Sequence, residues 1–487
     1  MLRLFRKHAI SIALGIVVFF SATMFSGIFF LDSMGGGAPS TQTVSEEQVI
    51  ARLGDLYIQN KYYYSNLQNI LSQYEGDGRK VSKLDPEQIE LIKLSAFQKS
   101  VEYTLMLEGS KGQDIPVSKQ DIKFALADVY KRFNISSKKE LKVVLKSNGI
   151  KYKDFINEIK SELKVQKLYQ GLQAQASVSD QDIQRKYRSL KLKHILITEK
   201  GLPEVDGETK EQTQARLQDK ANRVYGELSS GLAFESAVQT YSEDRFSKER
   251  KGSLGWVSFG TLPKPLEDVS YELANNELSR PVRTMFGYHI IQKVGEKKIA
   301  KPKDFNVSDE KNELLSLRQS QLIQQFLQSV RGNKKLDVKD QEIIAGQAKL
   351  EGNLVKLKGA YQSQISKTPN SPIPHYLLGL VYLKEKDIKR AKNELLKADI
   401  LGDLNPDWAV PQTNIQLAEI FRKEKLYKSA NEQYKKAIDR AKADLGALEY
   451  LKRVFMQKKD QKRLKRIEKY ESELQASLKN RSKEASN

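Results

Sequence analysis

The apolar residues of this chain change rhythm several times, and each change marks a segment. Ala9 to Leu31 is an unbroken, uncharged apolar run. Gly35 to Val44 is small and polar, the composition of a flexible tether. Val49 to Ile58 predicts a short extended stretch turning at Gly54, and Tyr62-Tyr-Tyr64, Leu67, Ile70 and Leu71 follow at helical spacing. From Asp85-Pro86, an N-cap and a first-turn proline, Ile89, Ile92, Leu94, Phe97, Val101, Leu105 and Leu107 form a broad helical face. Ser118-Lys-Gln-Asp121 and Ser179-Asp-Gln-Asp182 have the layout of capping boxes, each opening a helix. Two more helices lie between them, one ending at Asn148-Gly149 and one carrying Phe155, Ile159 and Leu168. Then the period switches. Leu190 to Ile197 and Gly287 to Val294 read as strands, bracketing helices around 215–228 and 234–241. This predicts a small α+β unit between helical segments. One helix is expected over 308–330, and from residue 340 the pattern is helical to the end. There Leu378-Gly-Leu-Val-Tyr382, Ala391, Leu395 and Ala398 recur as Leu417-Ala-Glu-Ile-Phe421, Ala430, Tyr434 and Ala437, with extra residues around Asn405-Pro406.

Length and charge sharpen the two ends of this picture. At roughly 1.5 Å per residue, a helix over 9–31 spans a hydrocarbon core of about 30 Å. Arg3, Arg6 and Lys7 precede it, which predicts a cytoplasmic N-terminus and an exported remainder. The run exceeds the apolar part of a signal peptide, and Gly35-Gly-Gly-Ala-Pro39 is a poor cleavage site. A single-pass anchor in the inner (cytoplasmic) membrane is therefore expected, with the bulk of the chain in the periplasm. The absence of cysteine excludes disulfides and thiolate catalysis. The formal charge is +21, yet Lys and Glu interleave along the helices and no basic–aromatic module occurs. The charge is read as solvated helical surface, and no nucleic-acid partner is expected.

Candidate chemistry gathers in the α+β unit. Two of the four histidines, His194 and His289, lie in its bracketing strands. With Asp244 they lack the local ligand spacing of a metal motif, and Gly252 and Gly255 lack the Lys-Ser/Thr ending of a phosphate loop. Lys193-His-Ile-Leu-Ile197, Gly231-Leu-Ala-Phe234, Tyr241-Ser-Glu-Asp244, Gly252-Ser-Leu-Gly-Trp256, Glu277-Leu-Ser279, Pro281-Val282 and Phe286-Gly-Tyr-His-Ile-Ile291 together resemble the parvulin-type peptidyl-prolyl isomerases. The resemblance runs in order across nearly the whole unit. It implies catalytic roles for His194, Asp244, Thr284 and His289, with Thr284 bridging the histidines. It implies a proline pocket of Leu254, Leu262, Leu266 and Phe286, and no metal or cofactor. Leu266 stands where active members usually have Phe, which removes an aromatic surface for the proline ring.

The flanks carry looser resemblances. Leu105-Met-Leu-Glu-Gly109, Val117-Ser-Lys-Gln-Asp121, Leu145-Lys-Ser-Asn-Gly149, Phe155 and Val178-Ser-Asp-Gln-Asp-Ile183 resemble the N-terminal chaperone domain of SurA- and PpiD-like periplasmic proteins. The recurring C-terminal phrases resemble tetratricopeptide repeats. The expected architecture is multidomain and mainly α. Residues 1–34 form a transmembrane anchor, 35–48 a tether, and 49–188 a helical SurA/PpiD-like domain completed by a return helix over 305–332. Residues 189–298 form the α+β parvulin domain, 340–475 a tetratricopeptide-like α-solenoid and 476–487 a frayed tail.

Two functions stay open at this point. One is a membrane-anchored folding factor that isomerises X–Pro bonds and holds unfolded, newly exported chains. The other is a weak or inactive parvulin domain that binds peptides within a non-enzymatic scaffold, its repeats docking a protein partner.

Overall fold

The computed structural model describes residues 49–76, 85–203, 205–284 and 286–484. The expected membrane anchor over 9–31, its tether and the last residues of the tail lie outside these. Among the described residues no helix is long and apolar enough to cross a membrane. The chain divides into two compact units, one of residues 49–111, 116–164 and 333–484, the other of 112–115 and 165–332.

The first unit opens with strands β1 (Val49–Leu53) and β2 (Leu56–Gln59), a hairpin turning at Gly54 with φ +60°. Helices α1 (Asn60–Gly76) and α2 (Pro86–Lys111) follow. Next come α3 (Lys119–Arg132), α4 (Lys138–Ser147) and α5 (Tyr152–Ala174). Ser118 and Asp121 close the expected capping box of α3, and Asn148 caps α4 before Gly149 at φ +68°. Val129, Leu141, Leu145, Phe155 and Ile159 form the core these three helices share.

The second unit takes in the end of α5 from residue 165 and continues with α6 (Asp180–Lys186), which has a second capping box at Ser179 and Asp182. Strand β3 (Arg188–Ile197) leads to α7 (Lys210–Ser229), α8 (Phe234–Tyr241) and the single turn α9 (Arg245–Lys248). Strand β4 (Ser253–Ser258), helix α10 (Lys264–Glu272), and strands β5 (Val282–Thr284) and β6 (Gly287–Lys298) complete an antiparallel sheet of order β4-β3-β6-β5. Its two faces are packed differently. Ile195, Ile197 and Ile290 meet Leu217, Ala221 and Val224 of α7 on one face. Leu190, Leu192 and Ile291 meet Phe259, Leu266 and Tyr271 on the other. Helix α11 (Val307–Arg331) belongs to this unit, where Leu314 joins that second core. Residues 305–332 were expected to close the N-terminal domain. Helix α11 instead turns its buried Leu314 and Arg318 toward α6 and α10, and the segment that pairs with β1 is β7 (Leu336–Val338).

Strand β7 places residues 333–484 in the first unit, in a sheet of order β2-β1-β7. Helix α12 (Gln341–Leu350) then lies on α2, with Gly346 against Leu94 and Lys93 paired to Glu342 at 2.5 Å. Helices α13 (Leu354–Lys367), α14 (Pro372–Lys384), α15 (Ile388–Leu404), α16 (Pro411–Lys423), α17 (Tyr427–Ala441), α18 (Leu445–Gln457) and α19 (Gln461–Glu484) complete, with α12, a series of helical hairpins. Each hairpin turn holds one left-handed residue, at Gly352, Lys386, Lys425 and Lys459. Gly379 admits Leu395 so closely that a Cβ there would lie 2.8 Å from its Cγ.

Candidate functional site

Backbone register brings the histidines together. His194 of β3 lies opposite Ile291 of β6, and Leu196 lies opposite His289. Opposite residues share a face, so the two imidazoles are diagonal neighbours on the α10 side of the sheet. Their rings stack at 27° with centroids 5.5 Å apart. Thr284 enters from β5, where Val282 pairs with His289 and Thr284 with Gly287. Asp244 comes from the other direction. It is the N-cap of α9, and its carboxylate accepts the N–H groups of Phe246 and Ser247. Gly252 lets this loop close onto β3. Its φ is +79°, its carbonyl accepts the His194 N–H at 2.8 Å, and a Cβ would sit 2.7 Å from Val238 and 2.8 Å from the His194 carbonyl.

The four polar residues form one hydrogen-bonded line. Thr284 Oγ1 lies 2.9 Å from His289 Nε2, His289 Nδ1 lies 3.3 Å from His194 Nδ1, and His194 Nε2 lies 2.9 Å from Asp244 Oδ2. Burial raises the Asp244 pKa, but hydrogen bonds from Ser247 and His194 outweigh it and hold the carboxyl below its ordinary range. Burial lowers the pKa of both imidazoles, and for His289, with His194 adding, the value falls to about 3. Both rings are therefore neutral at pH 7, each with one donor and one acceptor. An ionised Asp244 only accepts, so His194 Nε2 carries its proton. His194 Nδ1 then accepts from His289 Nδ1–H, and His289 Nε2 accepts from the Thr284 hydroxyl. The Thr284 oxygen receives the Phe286 N–H at 3.1 Å, and its proton goes to His289 Nε2 at 2.9 Å, nearer than its other acceptor, the Gly287 carbonyl at 3.4 Å. Every proton points toward Asp244.

One member of this line carried no sequence signal. Ser247 is wholly buried, with its Oγ 2.9 Å from His194 Nε2. Its place three residues after Asp244, one turn of α9 away, is the only hint the sequence offers. The apolar residues divide. Leu266 is 3% exposed and sits inside the core beneath the site, whereas Leu254 and Leu262 are half-buried at the edge of that core. Phe286 is 41% exposed. Among the described residues no group of three His, Asp or Glu is placed to hold a metal.

Residues 194–294 match the PPIC-type PPIASE domain, and residues 1–169 match the SurA-like N-terminal domain. Foldase protein PrsA 3 of Bacillus anthracis is 31% identical over 227 residues, which cover 44% of this chain and 69% of that protein. The chain belongs to the PrsA foldase family. Foldase protein PrsA 1 of Bacillus cereus is 30% identical over 192 residues, 39% of this chain and 59% of the relative. Chaperone SurA of Methylococcus capsulatus is 26% identical over 229 residues, covering 44% and 49%. The chain thus spans about half to three fifths of the length of these last two relatives. Neither matched domain reaches the helical hairpins after residue 340.

An isomerase site of this kind needs no nucleophile. The barrier to rotation about a peptide bond is about 18–20 kcal/mol, and it arises from amide resonance. What lowers it is a surface that fits the twisted amide better than the planar one. The line from Thr284 keeps Asp244 oriented without adding a positive charge to neutralise it.

Proposed function

We propose that this protein is a membrane-anchored, extracytoplasmic folding factor that isomerises X–Pro bonds in unfolded or newly exported chains and holds those chains on its helical segments. The observation that carries this reading is the proton-ordered line Thr284–His289–His194–Asp244 on the same sheet face as the Leu254–Leu262–Leu266 cluster. In this reading Leu254, Leu262 and Phe286 receive the proline ring, with Leu266 as the floor beneath them. Asp244 lies beside the substrate carbonyl. Its charge opposes the build-up of negative charge on that oxygen that resonance requires, so the planar amide loses more than the twisted one. Residues 9–31 supply the single inner-membrane span, and tethering there raises the local concentration near emerging chains.

The C-terminal hairpins are read as a tetratricopeptide-like docking array for a protein partner. The left-handed turn residues support this. Gly352, Lys386, Lys425 and Lys459 follow one another at thirty-four, thirty-nine and thirty-four residues, against a family period of about 34. The longer interval contains the extra 3-10 turn Pro406–Trp408.

The test uses the full-length protein in detergent with a proline-containing tetrapeptide. Exchange between its isomers is measured by NMR, with Asp244→Ala beside the wild type. The reading expects clear acceleration by the wild type and a loss of at least about 10-fold in the variant. Peptide binding at the Leu254 and Leu262 methyls without acceleration would replace it with the binding-module reading. A parallel aggregation-suppression assay with an unfolded client tests the holding activity.

A further inference from the structure

The matched isomerase domain ends at residue 294, yet one wall of its site is held from outside that span. Arg318 of α11 donates to Glu267 of α10 at 2.9 Å and to Asp182 of α6 at 3.4 Å. All three are buried, and the Arg318 guanidinium lies over the Phe259 ring at 5.1 Å. Glu267 in turn accepts the N–H of Gly260. The Gly260 carbonyl accepts from Gln321 Nε2, also on α11, at 2.5 Å. Both polar groups of this glycine are thus fixed, one by α11 directly and one through a carboxylate that α11 grips. Gly260 has φ +82°, and a Cβ there would lie 2.3 Å from Leu317 of α11.

The span so held supplies two of the four apolar site residues. Leu262 follows Gly260 by two positions, and Leu266 directly precedes Glu267. Leu314 and Leu315 of α11 pack into the same cluster as both. A buried charge cluster is a poor source of net stability compared with apolar packing of the same volume. Its directional bonds fix where the 260–267 span sits, which packing alone does loosely.

We propose that α11 is a positioning element of the isomerase site, with Arg318 and Gln321 setting the wall formed by Leu262 and Leu266. The working unit then runs from Asp180 to Arg331 rather than ending at residue 294. This rests on the isomerase reading above, and the test separates the two.

Gln321→Leu in the full-length protein removes the Gly260 bond and leaves the ion pairs intact. A second variant, Arg318→Met with Glu267→Gln, removes the Arg318–Glu267 pair and leaves Asp182 to its bonds from Ser179 and to Arg185 at 3.9 Å. Expected results are amide exchange at Gly260 faster by about 10-fold and a KM for the proline peptide raised about 3-fold or more at nearly unchanged kcat. The imidazole nitrogen shifts of His194 and His289 stay as in the wild type, since the line to Asp244 is untouched. A merely structural α11 lowers the melting temperature of these variants while Gly260 exchange and KM stay put, and that result overturns the proposal. If the wild type shows no turnover, the isomerase reading fails on its own. Gly260 exchange and the affinity of the peptide at the Leu262 methyls then decide whether α11 sets the wall.

Discussion

Acidification from pH 7 to pH 5 should weaken the isomerase unit in a way traceable to one ring. His289 is buried, and its pKa falls to about 3. In the unfolded chain an imidazole titrates near 6.5, so at pH 5 the unfolded state is protonated while the folded state is not. The unfolded state gains about 1.36 kcal/mol for each pH unit below 6.5, or about 2 kcal/mol at pH 5. The sign follows from the depressed folded value: the contribution is whole above pH 6.5 and is lost as pH falls toward 3. His194, lowered by burial, adds in the same direction. The groups nearest His289 are His194, Asp244 and Thr284, and Asp244 stays ionised through this window because its own pKa is lowered. The chain has two tryptophans, Trp256 in β4 and Trp408 among the hairpins. In a Trp408→Phe background, urea unfolding followed by Trp256 fluorescence reports this unit alone. Wild type and His289→Leu are compared at both pH values. The loss between pH 7 and pH 5 should be smaller by about 2 kcal/mol in His289→Leu. Equal losses in the two proteins would refute the assignment of His289 as a buried neutral ring.

Three further outcomes are expected. Asp244→Asn places an amide where only an acceptor stood, and its N–H₂ can donate to His194 Nε2. The whole line then reverses, and nitrogen NMR should show the His194 Nδ1 gaining a proton; unchanged tautomers would contradict the ordering derived above. Ser247→Ala removes a buried hydroxyl beside His194 and should cost about 1 kcal/mol in urea unfolding; no loss would mean the hydroxyl makes no net contribution there. Lys386 has φ +63° in a hairpin turn, so Lys386→Gly should stabilise the first unit, by up to about 1 kcal/mol in thermal unfolding; a loss of stability would mean the lysine side chain has an unseen role.

Much of the local structure could be read from the chain because its signals are local. Both capping boxes, the Gly54 turn and the start of α2 at Pro86 rest on neighbouring residues, and each is where the sequence puts it. The two histidine strands were legible for the same reason, although β6 runs on to Lys298. Strand β4 was not among the expected elements, because its strand character comes from pairing with β3 rather than from its own composition, which Gly255 interrupts. The destination of α11 was not legible. An apolar stripe says which face is buried and not against what, and Arg318, a buried cation, looks like any surface arginine in the sequence. Ser247 was invisible in the same way, since nothing local marks a serine that a distant histidine requires. Strand β7 has three residues and a partner far away in the chain, too little for any periodicity.

That small strand has a consequence for biogenesis. Leu336 pairs with Leu53, so the two halves of the ladder are separated by about 280 residues of nascent chain. At a synthesis rate of roughly 5–20 residues per second, β1 waits on the order of 15–60 s for its outer neighbour. Until then its free edge is exposed to any other extended chain, the kind of surface that seeds aggregation. The segment between, residues 165–332, is complete before β7 is made. The first sheet of this chain therefore closes only after the whole of the second unit has been made, and before the helical hairpins that follow it.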